Sequence, residues 1–173
     1  MRRYVMRMDE MSPEQIEQIL RELGRLVFNF NALEQSLRNI VESLVGEDVL
    51  IAAILIRGAD CRRLEELARS LIEGRPMEDQ LRADLFTMVK EVSRLREARS
   101  SLLHGVWTIP NDAADLSDLA ARRPPGGRRR EWQHLEASQD AAKIALVASQ
   151  CSQASEKLEG LWKTILNSRP ATA

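Results

Sequence analysis

Through three long stretches of this chain, apolar residues recur at alternating steps of four and three. That spacing limits the fold more than any other feature. The first set is Ile16, Leu20, Leu23, Val27, Phe30, Leu37, Val41 and Leu44, with Ile19, Leu26, Leu33 and Ile40 widening the face. The second is Leu81, Leu85, Met88, Val92, Leu95 and Leu102, and the third is Ile144, Ala148, Cys151, Ser155, Leu158, Trp162 and Ile165. Steps of this kind form the seam along which one helix packs on others; a half-buried strand would alternate with a period of two.

Start and stop signals frame these helices. Ser12 is placed to cap the first, Pro13 takes its first position, Gln15 completes a capping box, and Gly46 ends it. "EDVLIAAILI" reads as a short, fully buried helix, with a strand left open by the pattern alone. "GADCRRLEELARSLIEG" reads as a third helix, capped by Asp60 and closed by Gly74. The fourth extends from about Met77 to Leu103, roughly 40 Å at the helical rise. The last runs from near Ser138 to about Asn167, its first half lined with small residues. Aromatic residues make up only 4%, so the core must come from Leu, Ile, Val, Ala and Met, which favours helices over a β-sandwich. The expectation is one all-α domain over 1–173, an antiparallel up-and-down helical bundle of four to five helices. It carries a short hairpin-like insertion at about 106–137, where "VWTIPND" and "RRREWQHLEA" have β character around a Pro-Pro-Gly-Gly turn.

Composition narrows the function classes. The net charge of −1 gives no bulk signal for nucleic acid. Of the 25 basic residues 21 are arginine, which fits either a compositional bias or contacts to phosphate. Cys61 and Cys151 lack any metal-ligand spacing and fall in helical patterns, so no metal and no cofactor is expected, and a reducing compartment fits. The start "MRRYVMRMDEM" lacks the apolar core of a signal peptide. The longest apolar run, Val49 to Ile56, is too short to span a bilayer. The expectation is a cytoplasmic protein with no membrane partner.

Two seam slots are charged. Glu34 falls between Phe30 and Leu37, and Arg99 between Leu95 and Leu102. Burying one charge alone costs several kcal/mol, so two of opposite sign should meet or should face a polar cleft. Two structural alternatives stand beside a functional role: a buried ion pair that fixes helix register, or Glu34 turned outward to Arg38 at i+4. His104 follows at the end of the fourth helix, ahead of Gly105. It is suited either to cap the last carbonyls or to move protons near neutral pH, beside an arginine able to stabilise charge on a phosphate.

"RSSLLH", Arg99 to His104, resembles the R-x(4–6)-H motif of the HEPN superfamily, and "HGVW" resembles its usual continuation. "FNALEQSLRNIV", Phe30 to Val41, resembles the first HEPN helix, which often carries a glutamate. The resemblance spans about Pro13 to Trp107, with the last helix completing the bundle. A second match to the spacing, Arg129 to His134, lies in a loop-and-strand context after Gly-Gly and is read as accidental. The residue after the arginine, commonly Asn, Asp or His in active members, is Ser100 here.

The resemblance implies a metal-independent endoribonuclease, a toxin or antiviral effector with a cognate antitoxin, acting through a composite site at a homodimer interface. It implies that His104 transfers protons, Arg99 holds the scissile phosphate of an RNA substrate, Glu34 positions Arg99 and Ser100 assists by hydrogen bonding. Arg128, Arg129 and Arg130, in "ARRPPGGRRR", are suited either to clamp the RNA backbone or to form a solvated loop. Trp132 is near enough to that run to stack on a base. The alternatives are a catalytically inactive HEPN-like dimerisation or partner-binding module, and an unrelated helical regulatory protein.

Overall fold

The computed structural model describes residues 3–7, 12–46, 49–103, 106–108, 132–134 and 137–167. Among them the chain forms five helices: α1 Pro13–Val45, α2 Val49–Ile56, α3 Cys61–Gly74, α4 Asp79–Leu103 and α5 Ala137–Asn167. Three short strands accompany them, β1 Arg3–Arg7, β2 Val106–Thr108 and β3 Trp132–His134. The all-α bundle expected from the seams is the fold. No helix among the described residues is long and apolar enough to cross a membrane.

The punctuation acts as its residue types dictate. The Ser12 hydroxyl accepts from the Gln15 amide at 3.3 Å, and the Gln15 side chain accepts from the Ser12 amide at 2.8 Å. At the other end Gly46 has φ 100°, a left-handed value that disfavours any side chain. Asp60 caps α3 by accepting from the Arg63 amide at 2.8 Å.

Consecutive helices alternate in direction. α2 folds back along the end of α1, so that the Ile56 carbonyl reaches Arg38 on α1. α3 runs forward again from Arg38 towards Val45, where Arg75 donates to the Val45 carbonyl. α4 returns along α3: Arg82 donates to the Ile72 carbonyl near one end, and Arg96 meets Glu65 near the other. α5 then lies parallel to α1, its main packing partner. Three polar contacts mark their register: Asn29 to the Ala148 carbonyl at 2.9 Å, Ser36 to Ser155 at 2.8 Å and Trp162 to Ser43 at 2.8 Å. Each helix advances seven residues per contact, so the rungs repeat at the heptad spacing that brings successive side chains to one seam.

Burial refines the first seam. Ile19, Leu26, Leu33 and Ile40 are its deepest row, whereas Leu20 is 58% and Val27 36% exposed. The hydrogen bonds that tie α3 to α1, at Arg38 and Val45, both fall on the second half of α1. Phe28, on the same uncovered half of α1, is 75% exposed.

Two expectations are corrected. α2 is a helix but is not fully buried: Ala52 and Ile56 pack inward, while Leu50, Ile51, Ile54 and Leu55 are exposed. An eight-residue helix that is apolar all round can press only one side on α1. The strands also do not make a hairpin. The sheet order is β2-β1-β3, and both outer strands run parallel to β1. A hairpin needs β2 and β3 to be adjacent and antiparallel, but the N-terminal strand lies between them. The Pro-Pro-Gly-Gly stretch lies outside the described residues.

Candidate functional site

α4 carries its seam as the spacing requires: Leu85, Met88, Val92, Leu95 and Leu102 are buried. Arg99 occupies the slot between the last two, half-buried, with its guanidinium carbon 5.1 Å from the centroid of the Phe30 ring on α1. The ring face attracts the cation, a contact worth roughly 0.5–2 kcal/mol depending on exposure. It offers no acceptor for an N–H, however, and the buried Nε of Arg99 has no hydrogen-bond partner. Among the described residues no carboxylate pairs with Arg99.

Glu34 lies one turn beyond Phe30 and pairs with Arg38 at 3.8 Å. Arg38 in turn donates to the carbonyls of Ile56 at 2.9 Å and Ala59 at 3.2 Å, fastening the α2–α3 junction. The i+4 pairing with Arg38 is therefore the one realised, but partly covered beside the α2–α3 junction and not turned outward, and the expected Glu34–Arg99 pair is not formed. The cause is local: Arg38 is on the same helix face at a spacing where side chains meet without any tertiary adjustment.

The charge pair buried between helices is a different one. Glu65 on α3, its side chain only 5% exposed, accepts from Arg96 Nε on α4 at 2.8 Å. The Cys61 thiol donates to the same carboxylate at 3.7 Å, and Arg96 also reaches the Ser93 hydroxyl at 3.4 Å. Hydrogen bonding to Glu65 raises the Arg96 pKa above its ordinary value. Burial first, then the Glu65 and Glu34 carboxylates, push the Cys61 thiol up to about 12. Burial likewise pushes Cys151 up to about 11. Both thiols stay protonated near neutral pH and are unsuited as nucleophiles. The sequence does carry a signal for Glu65: it shares the apolar face of α3 with Cys61, Leu64, Ala68 and Ile72. The seam argument applied to Glu34 and Arg99 marks it equally.

Ser100 follows Arg99 within the last turns of α4 and is half-buried. His104 comes directly after Leu103, the last residue of α4, and lies outside the described residues, as do Arg128, Arg129 and Arg130. β2 begins at Val106, two positions after His104. The sheet sets Val106 opposite Val5 and Val5 opposite His134. The backbone of the second histidine thus lies two strands from Val106, two positions after the first R-x(4)-H motif. Among the described residues no group of three His, Cys, Asp or Glu side chains is placed to hold a metal ion.

The fold therefore sets Arg99 against α1 through Phe30, with Ser100 beside it in sequence, and assigns Glu34 to Arg38. No protein-family model, no curated protein and no solved structure matches the chain.

Proposed function

We propose that this chain is a HEPN-like metal-independent endoribonuclease whose chemistry centres on Arg99 and His104 at the end of α4. The observation that carries the reading is the state of Arg99. A long cation sits in an otherwise apolar seam, its Nε buried and without an acceptor, and no carboxylate answers it among the described residues. An unsatisfied buried donor costs about 1–3 kcal/mol. A phosphate beside the half-buried guanidinium supplies the negative charge that the fold does not.

In this reading Arg99 holds the scissile phosphate of RNA and stabilises the charge that grows on it. His104 accepts the proton of the 2′-hydroxyl, whose oxygen attacks phosphorus. The 5′-oxygen leaves with a proton from a second imidazole, supplied by His104 of a second copy in a homodimer. The products are a 2′,3′-cyclic phosphate and a 5′-hydroxyl. Ser100 assists by hydrogen bonding, and Arg128, Arg129 and Arg130 clamp the strand. Glu34 acts at one remove, through Arg38 and the α2–α3 junction. The biological setting is a toxin or antiviral effector held in check by a cognate antitoxin, acting in the cytoplasm.

A second reading has its own observation. Leu20, Val27 and Phe28 leave an apolar face on the first half of α1, which favours a HEPN-like module that dimerises or binds a partner without catalysis. Incubating the purified protein with single-stranded RNA in EDTA separates the two. The ribonuclease reading predicts fragments ending in a 2′,3′-cyclic phosphate, and a His104→Ala variant that folds and self-associates normally yet cleaves nothing. Intact RNA with the unaltered protein supports the non-catalytic module, and a His104→Ala variant that cleaves equally fast removes His104 from the chemistry.

A further inference from the structure

We infer that the groove between α4 and α5 is a second, separate site, which holds the sugar–phosphate backbone of single-stranded RNA. The groove has a volume of about 690 Å³ and lies on the Arg94 side of α4, whereas Arg99 meets α1. Lys90 and Arg94, one helical turn apart, stand on one wall, and Lys157 stands on the other with Gln150 and Gln153. Three cations thus face one carboxylate, Glu91. Arg94 already holds that carboxylate with two hydrogen bonds, at 2.8 and 2.7 Å, and reaches across the groove to the Gln150 side-chain oxygen at 2.9 Å. Lys90 and Lys157 are exposed and form no ion pair among the described residues. A concave surface with excess positive charge draws anions even on a protein of net charge −1.

The amides suit a ligand that both donates and accepts hydrogen bonds. Gln150 uses its carbonyl oxygen on Arg94, so its NH2 group remains to donate, and the Gln153 amide can both donate and accept. Ribose 2′-hydroxyls and base edges present both kinds of partner, beside phosphates for the three cations. Among the described residues the groove has no aromatic lining on which a base can stack, so it grips the backbone without choosing a sequence. The choice of RNA rests on the ribonuclease reading, while the placement of an anion site between α4 and α5 does not.

The test uses the full chain with His104→Ala, so that the strand survives, and fluorescein-labelled oligouridylate and oligoadenylate read by anisotropy across a salt series. Adding Lys90→Gln and Lys157→Gln should weaken both oligonucleotides alike. It should also flatten the slope of log affinity against log salt by about 0.7 for each lysine. Lys90→Arg with Lys157→Arg should restore both. Unchanged affinity and slope in the glutamine variant, or poly-glutamate displacing RNA as well as unlabelled RNA does, overturns the site. With His104 intact, the glutamine variant should raise KM for cleavage and leave kcat in place. A cleaving protein whose KM does not move in that variant overturns the groove alone. A protein that binds through the groove and never cleaves overturns the ribonuclease reading alone.

Discussion

Three charged residues stand on apolar helix faces, and each is resolved differently. Glu34 is met by Arg38 on its own helix. Glu65 is met by Arg96 across the α3–α4 interface. Arg99 meets only the face of Phe30. The seam positions of Glu34 and Arg99 are legible from spacing, but their partners are not, because spacing fixes a helix face and says nothing of which neighbour lies opposite. The energetic consequence is a difference between the two glutamates. Removing Glu65 leaves Arg96 with the more distant Glu97 at 3.9 Å and the Ser93 hydroxyl, and deprives the Cys61 thiol of its acceptor, so Glu65→Ala should cost about 2 kcal/mol, less than the loss of one member of a fully buried pair. Glu34→Ala breaks a half-exposed pair within one helix and should cost about 0.5 kcal/mol. Urea unfolding followed by circular dichroism measures both, and equal losses would show that the buried pair is misassigned.

At the level of elements, the long helices and their caps were readable because a heptad seam and a capping box are local signals. The fates of α2 and of the first half of α1 were not. Both read as core from their apolar residues, and both are left partly bare, α2 because an all-round apolar helix can press only one side on the bundle. The small sheet escaped for a related reason: pairing between residues near 5, 106 and 133 is non-local, and nothing adjacent in sequence announces it. The parallel register of α1 and α5 is likewise a tertiary property. It predicts that Ser36→Cys combined with Ser155→Cys will crosslink under mild oxidation, since the two hydroxyls are 2.8 Å apart. Ser36→Cys with Ala148→Cys, displaced by one heptad, should not. Mobility on a non-reducing gel reads the result, and a crosslink only in the displaced pair would contradict the register.

For the whole molecule, the bundle makes one face of α4 a packing surface and then interrupts it near its end with a cation. Helical seams explain why α4 points Arg99 at α1, and the phenyl ring it meets there carries no acceptor atom for its Nε. The R-x(4)-H spacing was legible in the sequence, and so was its position at a helix end. The absence of a carboxylate opposite Arg99 among the described residues was not, since it depends on Arg38 pairing with Glu34. The central claim is that Arg99 is kept for a phosphate and contributes little to folding. The direct measurement is RNA cleavage in EDTA by Arg99→Met, a change that removes the guanidinium and keeps an unbranched side chain for Phe30 to pack on. The account predicts a variant that unfolds at the same urea concentration as the unaltered protein, or a higher one, and leaves RNA intact while the unaltered protein cuts it. Cleavage by Arg99→Met at the unaltered rate would contradict it.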